Sequence, residues 1–382
     1  MNLRVGLGAT VWARGAAHQQ LDGIGYYTQS LAQALQSDYV DCWPVAFGQE
    51  GINLKQNTLF QHEMQFAPAY QRSVLQSVLT SANCSVAKHL KGHIDVFHAT
   101  DHHIPKLKGI PLVATLMDAI PLSNPEWGNP KWRWLKNELW KRTVKWADHV
   151  ITISEFSKNE IVQHFGIPEN RINVIHLGVD EKYSQEIPQP QRNLTLKKFK
   201  IERPFFLCVG TLQPRKNIAR VLTAFENLPP AVKSEFDLII LGRNGWGVDN
   251  LVAQLTAQSQ APNTHVKWLG GVSEADKLAL LQSATSLVFP SLSEGFGLPL
   301  IEAFAAATPV IASNTTSLGE LAGDAALGVD PLETEALTYA MQCMAEDSEL
   351  RAQFTLKGLK RVKDFTWKNC AHQTKQIYQR MA

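Results

Sequence analysis

Short apolar, β-rich runs recur along this chain with helical segments between many of them, and that rhythm constrains the fold more than any other feature. The first set covers residues 3–7, 40–47, 95–98, 112–116, 149–153 and 172–177. The second covers 205–209, 238–241, 266–269, 287–289, 310–312 and 326–329. Runs of this length that lack polar alternation are those of parallel strands buried on both faces. Between the sets, residues 183–200 turn polar, carry Pro188 and Pro190 and lose periodicity, which reads as a linker. The pattern predicts an α/β chain of two doubly wound, Rossmann-like domains facing each other across a cleft. The predicted parts are an N-terminal domain (1–183), a linker (184–200), a C-terminal domain (201–362) and a terminal helix (363–382) packing back on the N-terminal domain.

The chain's 382 residues suit two domains of ordinary size, and 37 basic against 35 acidic residues give no global field that would draw nucleic acid. Cys42, Cys84, Cys208, Cys343 and Cys370 are scattered without metal-ligand spacing, as reduced cytoplasmic thiols are. The opening Met-Asn-Leu-Arg-Val-Gly reads as a strand, not a signal peptide. No uncharged apolar stretch approaches the roughly 20 residues that cross a bilayer. The expected location is cytoplasmic, with peripheral binding at the cytoplasmic membrane face as an option.

Ligands of open parallel sheets bind beyond the carboxyl ends of the strands, so residues there carry the functional argument. After the run ending at Phe289 comes Ser-Leu-Ser-Glu-Gly-Phe-Gly-Leu-Pro-Leu-Ile-Glu, residues 291–302. Gly297 can close the loop, Pro299 suits the first turn of a helix, and that helix start offers free N–H groups to an anion. Glu294 could accept sugar hydroxyls or face positive charge. Alone, either Glu294 or Glu302 reads as a solvated charge or a helix-dipole partner. After the run ending at Val209 comes Gly-Thr-Leu-Gln-Pro-Arg-Lys-Asn, residues 210–217. Here a glycine turn and two cations suit phosphate oxygens.

Together these two clusters resemble glycosyltransferase family 4, the retaining group 1 enzymes of GT-B fold. The resemblance is close from about Phe205 to Pro331 and looser before it; Glu294 and Glu302 match the family's glutamate, seven residues, glutamate motif. The resemblance implies that Glu294 contacts the transferred sugar, Glu302 holds the ribose, and Gly295, Phe296, Gly297 and Leu298 lie near sugar and phosphates. Arg215 and Lys216 would neutralise the diphosphate leaving group, so that no metal or other cofactor is expected. Thr211 stands where many relatives carry arginine after Gly210, which shifts phosphate work to Arg215. Gly242 and Arg243 resemble the second glycine loop, and Val272, after Gly270 and Gly271, would approach the base. These segments also fit ordinary strand-to-helix turns.

In the first half, Gly23-Ile24-Gly25-Tyr26 matches the glycine loop that the family sets near donor phosphates and acceptor: Gly25 on the donor side, Gly23 and Tyr26 on the acceptor side. Asp118 is kept where relatives have histidine then aspartate, while Met117 replaces the histidine and cannot make an imidazole hydrogen bond. His98, Asp101, His102 and His103 form a polar group after residues 95–98; it reads as acceptor recognition or as a surface turn, and the zinc alternative lacks further ligands. The run Lys131-Trp132-Arg133-Trp134-Leu135-Lys136 mixes tryptophan with cations as interfacial helices do. Trp132, Leu135 and Leu139 at helical spacing favour a core helix.

The expected activity is a retaining, metal-independent hexosyl transfer, first choice mannose from GDP-mannose, to a saccharide or polyprenyl-diphosphate-linked saccharide in bacterial surface polysaccharide synthesis. That donor choice rests on the resemblance of residues 210–217 to mannosyl- and rhamnosyltransferases. UDP- and dTDP-sugars are the alternatives, and a non-catalytic nucleotide-binding subunit or a GT-B epimerase are those of another class.

Overall fold

The computed structural model describes residues 3–18, 20–48, 59–80, 82–127 and 132–382. They fall into two compact units, one formed by the described residues among 1–125, 132–178 and 367–382 and the other by 179–366 with 126–127.

The first unit is built on a parallel sheet of β1 (Arg4–Gly8), β2 (Asp41–Phe47), β3 (Gln65–Ala67), β4 (Val96–Ala99), β5 (Leu112–Thr115), β6 (His149–Thr152) and β7 (Ile172–Val174). The strands lie in the order β3-β2-β1-β4-β5-β6-β7. β1 and β4 are neighbours, with Val5 beside Val96 and Leu7 beside His98, so the winding reverses between them. β4 and β5 are buried at every position, as their unbroken apolar runs require. The terminal helix Trp367–Met381 belongs to this unit, where it buries Cys370, Ala371, Thr374, Ile377 and Tyr378 and packs against the helix Gly23–Ser37. Asp22 starts the latter helix by accepting the Gly25 N–H at 2.8 Å.

The second unit carries β8 (Phe205–Val209), β9 (Asp237–Leu241), β10 (Val266–Gly270), β11 (Ser286–Phe289), β12 (Val310–Ser313) and β13 (Leu327–Val329), all parallel, in the order β10-β9-β8-β11-β12-β13. Its core joins Phe206, Leu238, Ile240, Val288 and Ile311 from the sheet to Leu222 and Phe225 of the helix Ile218–Glu226. Here the winding reverses between β8 and β11.

The structure departs from the sequence reading in four places. β3 is an additional edge strand. Residues 184–200 contain the helix Gln189–Lys198, tied to the second unit where Arg192 donates to the Gln282 carbonyl at 2.8 Å and Lys198 meets Asp276 at 2.7 Å. The units part after Gly178 and after Thr366. In the tryptophan-rich run, Lys131 lies outside the described residues. The helix Arg133–Val144 turns Trp140, Thr143 and Val144 inward, Trp140 edge-on to Phe165 at 4.8 Å, while Trp132 is 68 % and Trp134 78 % exposed and Leu135 is also exposed. Among the described residues, no helix is long and apolar enough to cross a membrane.

Candidate active site

The loops after β8 and β11 flank the point where the second sheet reverses its winding, and their charged residues meet there. Pro214, Arg215 and Lys216 form a single 3-10 turn ended by Asn217 at a φ of 60°. The Asn217 amide donates to the carbonyls of Pro290 at 3.1 Å and Pro331 at 2.7 Å, fastening the β8 loop to the β11 loop. The Leu292 N–H donates to the Arg215 carbonyl at 2.8 Å. Arg215 and Lys216 thereby reach Glu294 from two sides: Arg215 Nη1 lies 2.6 Å from Oε2 and Lys216 Nζ 2.6 Å from Oε1. Gln213 accepts from Arg215 Nε at 3.1 Å, and the Ser293 carbonyl accepts from its Nη1 at 3.1 Å, so the guanidinium is oriented on both edges.

Glu294 is only 6 % exposed. Burial opposes its ionisation, but Lys216 and then Arg215 outweigh that penalty and hold the carboxyl below the usual carboxylate range. Burial likewise lowers the Lys216 ammonium, against the pull of Glu294. The loop itself is pinned by Ser317, whose hydroxyl donates to the carbonyls of Glu294 at 2.7 Å and Phe296 at 2.9 Å. Gly297, at a φ of 118°, opens the helix Leu298–Ala305, and a Cβ there would stand 2.4 Å from Leu318 Cδ2. Among the described residues, the buried hydroxyls of Ser291 and Ser293 have no hydrogen-bond partner.

The other sequence-predicted donor residues of this unit collect at the same sheet end. The Gly242 N–H donates to the Gly270 carbonyl at 2.8 Å and Leu212 N–H to the Arg243 carbonyl at 2.9 Å, which places the loops after β8, β9 and β10 side by side. Gly242 has a φ of 153°, and a Cβ on it would lie 1.8 Å from the Gly210 oxygen, so only glycine lets these loops close. Thr211 and Arg243 are exposed and Val272 half-buried. Glu302, one turn into the helix Leu298–Ala305, is buried, and both its oxygens lie 3.3 Å from Lys277 Nζ. Sequence reasoning had overlooked Gln213, Asn217, Lys277 and Ser317; for Asn217 the signal was available, since asparagine is a residue that tolerates left-handed backbone at a helix start.

In the first unit the predicted residues separate into core and surface. His98 is fully buried, with Nδ1 2.6 Å from the Tyr378 hydroxyl and Nε2 2.7 Å from Thr115 Oγ1. Burial takes its pKa down to about 3, so it is a neutral core histidine holding the terminal helix and not an acceptor contact. Asp101 is buried too: Oδ1 accepts the His103 N–H at 2.7 Å and faces His103 Nδ1 at 2.8 Å, and Oδ2 accepts the Val11 N–H at 3.2 Å. It thus secures the start of the helix Thr10–Ala17 at the point where this sheet reverses. Asp101, His102 and His103 bring potential ligand atoms within 4.8 Å of one another, but the Asp101–His103 hydrogen bonds already use that geometry for a turn. His102 is exposed on the same turn, its ring tilted against His103 at 4.2 Å, and desolvation, followed by the neighbouring His103, lowers its pKa. Gly23 is exposed, Gly25 buried, and the Tyr26 ring stands edge-on to Trp367 at 6.0 Å. Asp118 is half-buried and accepts the Ile120 N–H at 3.1 Å.

Comparison with known proteins gives two family matches that together span most of the chain. The pattern described as glycosyltransferase family 4 matches residues 21–183, and that described as glycosyl transferases group 1 matches residues 192–361. Over 287 residues the chain is 32 % identical to O-antigen chain mannosyltransferase B of Escherichia coli, covering 74 % of each. It is 27 % identical over 265 residues to the serotype-specific mannosyltransferase WbdA of Escherichia coli, covering 68 % of this chain and 32 % of that longer protein. Among solved structures, Anabaena HepE in complex with UDP and glucose superposes with a TM-score of 0.76 at 18 % identity over 99 % of this chain and 100 % of that one. WaaG, a glycosyltransferase involved in lipopolysaccharide biosynthesis, superposes with a TM-score of 0.72 at 19 % identity over 98 % of this chain and 99 % of that one.

Proposed function

Membership of the group 1 glycosyltransferases of family 4, to which this chain belongs, is the premise from which we propose that it transfers mannose from GDP-mannose with retention of configuration. The acceptor is a hydroxyl of a saccharide or polyprenyl-diphosphate-linked saccharide in surface polysaccharide synthesis. The names of the relatives, an O-antigen chain mannosyltransferase and a serotype-specific mannosyltransferase, support this choice of sugar and setting.

The observation that carries the reading is the Arg215–Glu294–Lys216 cluster at the switch point of the second sheet. Two cations on one short turn offer charge and donors to a diphosphate, and the carboxylate between them retains lone pairs for sugar hydroxyls. The buried Ser291 and Ser293 hydroxyls on the same loop are groups that a polar ligand would satisfy. In the proposed reaction the bond from the anomeric carbon to the diphosphate oxygen breaks on the face where the acceptor oxygen bonds. The acceptor proton passes to the departing diphosphate oxygen. Arg215 and Lys216 stabilise the growing negative charge, which makes the reading metal-independent, and Glu294 orients the sugar beside the positive charge at its anomeric carbon. Glu302 holds the ribose, Gly210, Thr211, Gly242, Arg243 and Val272 the rest of the nucleotide, and Gly295 to Leu298 the sugar and phosphates. In the first unit Gly25 serves the donor, Asp118 the sugar, and Gly23, Tyr26 and His102 the acceptor, with Asp101 shaping their neighbourhood.

The exposed Trp132, Trp134 and Leu135 beside Lys136, Arg142 and Lys145 support a seat on anionic lipid, where a polyprenyl-linked acceptor would be presented. Five free cysteines support a cytoplasmic location. A thermal-shift screen against GDP, UDP, dTDP and their common sugars tests the donor assignment, because a ligand of the native state raises its stability by mass action. Stabilisation by GDP and GDP-mannose above the others is the expected result; selective stabilisation by a UDP- or dTDP-sugar would replace the donor, and stabilisation by none would overturn the site.

A further inference from the structure

Glu302 does not stand alone in its helix. The Lys277 ammonium lies 3.3 Å from each of its oxygens and 3.2 Å from Glu274 Oε1, with the Tyr183 ring 5.2 Å away. Tyr183 is almost fully buried, and its hydroxyl donates to Glu274 Oε2 at 3.0 Å. Lys182, at 3.4 Å, supplies a second cation to Glu274. The Lys277 and Glu302 side chains are 17 % and 11 % exposed, so their interaction is poorly screened by water. The ammonium thus faces three carboxylate oxygens, while each Glu302 oxygen keeps a further lone pair.

The position of Lys277 along the chain adds a second point. The helix Glu274–Ser283 starts directly behind the loop of Gly271 and Val272, and its first turn is capped where Ser273 accepts the Asp276 N–H at 3.1 Å. That same turn sends Lys277 to Glu302, so one rigid element joins the loop assigned to the base with the carboxylate assigned to the ribose.

We propose that Lys277 is a positioning residue for nucleotide recognition: it holds the Glu302 carboxylate in one orientation, so that it can accept the hydroxyls of a ribose. The inference rests on the assignment of Glu302 to the ribose. Charge on Lys277 therefore governs discrimination between ribo- and deoxyribonucleotides, beyond any general effect on affinity. An ion-pair network that merely stabilised the fold would change affinity for both sugars alike.

The test is calorimetric titration of the full chain with the tighter-binding of GDP and UDP and with its 2′-deoxy and 3′-deoxy counterparts. The variants are Glu302→Gln, Lys277→Met and Lys277→Arg, with thermal unfolding as the check on folding. The wild type should prefer the ribonucleotide by roughly tenfold or more, the range of a hydrogen bond to a charged group. Glu302→Gln and Lys277→Met should both lose most of that preference, and Lys277→Arg should restore it. If Glu302→Gln abolishes the preference while Lys277→Met keeps it, or weakens ribo and deoxy ligands equally, the role of Lys277 is refuted and the ribose assignment stands. A Glu302→Gln variant with the wild-type preference, or a wild type with none, would overturn the ribose assignment and the inference with it.

Discussion

At the scale of single residues, the site is a problem of buried charge. Glu294 is ionised within the protein because two cations lie 2.6 Å from it, and removing either leaves the others poorly compensated. Lys216→Ala should weaken GDP binding by about 10- to 100-fold, the loss of a charge-assisted hydrogen bond, whereas Glu294→Ala should lower turnover by on the order of 100-fold with a smaller change in nucleotide affinity. Titration calorimetry and steady-state kinetics separate the two. The same cluster sets a pH dependence. Because burial lowers the Lys216 pKa, the cation is lost at a pH below the ordinary lysine value of about 10.4, and GDP affinity should begin to fall there, while Lys216→Arg should hold its affinity to higher pH. Glu294 acts at the other end of the scale. Its depressed pKa contributes stability that is complete above the unfolded value of about 4.3 and is lost as pH falls through the lower folded value.

At the scale of elements, close loop packing and helix seating carry the argument. Gly242→Ala would drive a Cβ into the Gly210 carbonyl, so it should cost about 2 kcal/mol or more of stability and weaken nucleotide binding together with it, read by denaturant unfolding and calorimetry. The terminal helix depends on a core imidazole. Tyr378→Phe removes the partner of His98 Nδ1 and should cost about 1–2 kcal/mol. His98 is depressed to about 3, so the unfolded chain takes up its proton below about 6.5 and the folded one does not. Stability should therefore fall as pH drops through that window, and His98→Gln should flatten the fall. On the exposed helix Arg133–Val144, Trp134→Ala should reduce binding to anionic vesicles, measured by co-sedimentation, without changing thermal stability, since the Trp134 side chain is mostly in solvent.

What the sequence disclosed differs by element. β8 and β11 with their loops were legible because apolar runs end in residues with marked conformational preferences, such as Gly297 and Pro299, and because Arg215, Lys216 and Glu294 follow directly on strand ends; that the two cations close on Glu294 itself was not legible. The pairing of Lys277 with Glu302 was not legible, since no local pattern tells which of two helices a charge will face. His98 misled for a related reason: a histidine at the end of a strand reads as a ligand group until the terminal helix, distant in sequence, brings Tyr378 to it. The helix Gln189–Lys198 was hidden by its polarity, for none of its residues is buried and no apolar stripe marks it.

For the whole molecule, each unit repeats one device: a parallel sheet whose winding reverses, with charged residues gathered beyond the strands at the reversal. In the second unit that point holds Arg215, Lys216 and Glu294; in the first, Asp101 secures the helix that follows β1. This is the organisation that α/β sheets use for ligands, and it leaves the identity of the sugar and acceptor to side chains and loops. The most direct measurement is transfer from GDP-mannose to a polyprenyl-diphosphate-linked saccharide, following GDP release and the one-bond C1–H1 coupling of the new mannoside by NMR. The account predicts one GDP released per mannose transferred and an α-linked product, both lost in Glu294→Ala. A β-linked product, or consumption of a UDP-sugar in preference to GDP-mannose, would contradict it.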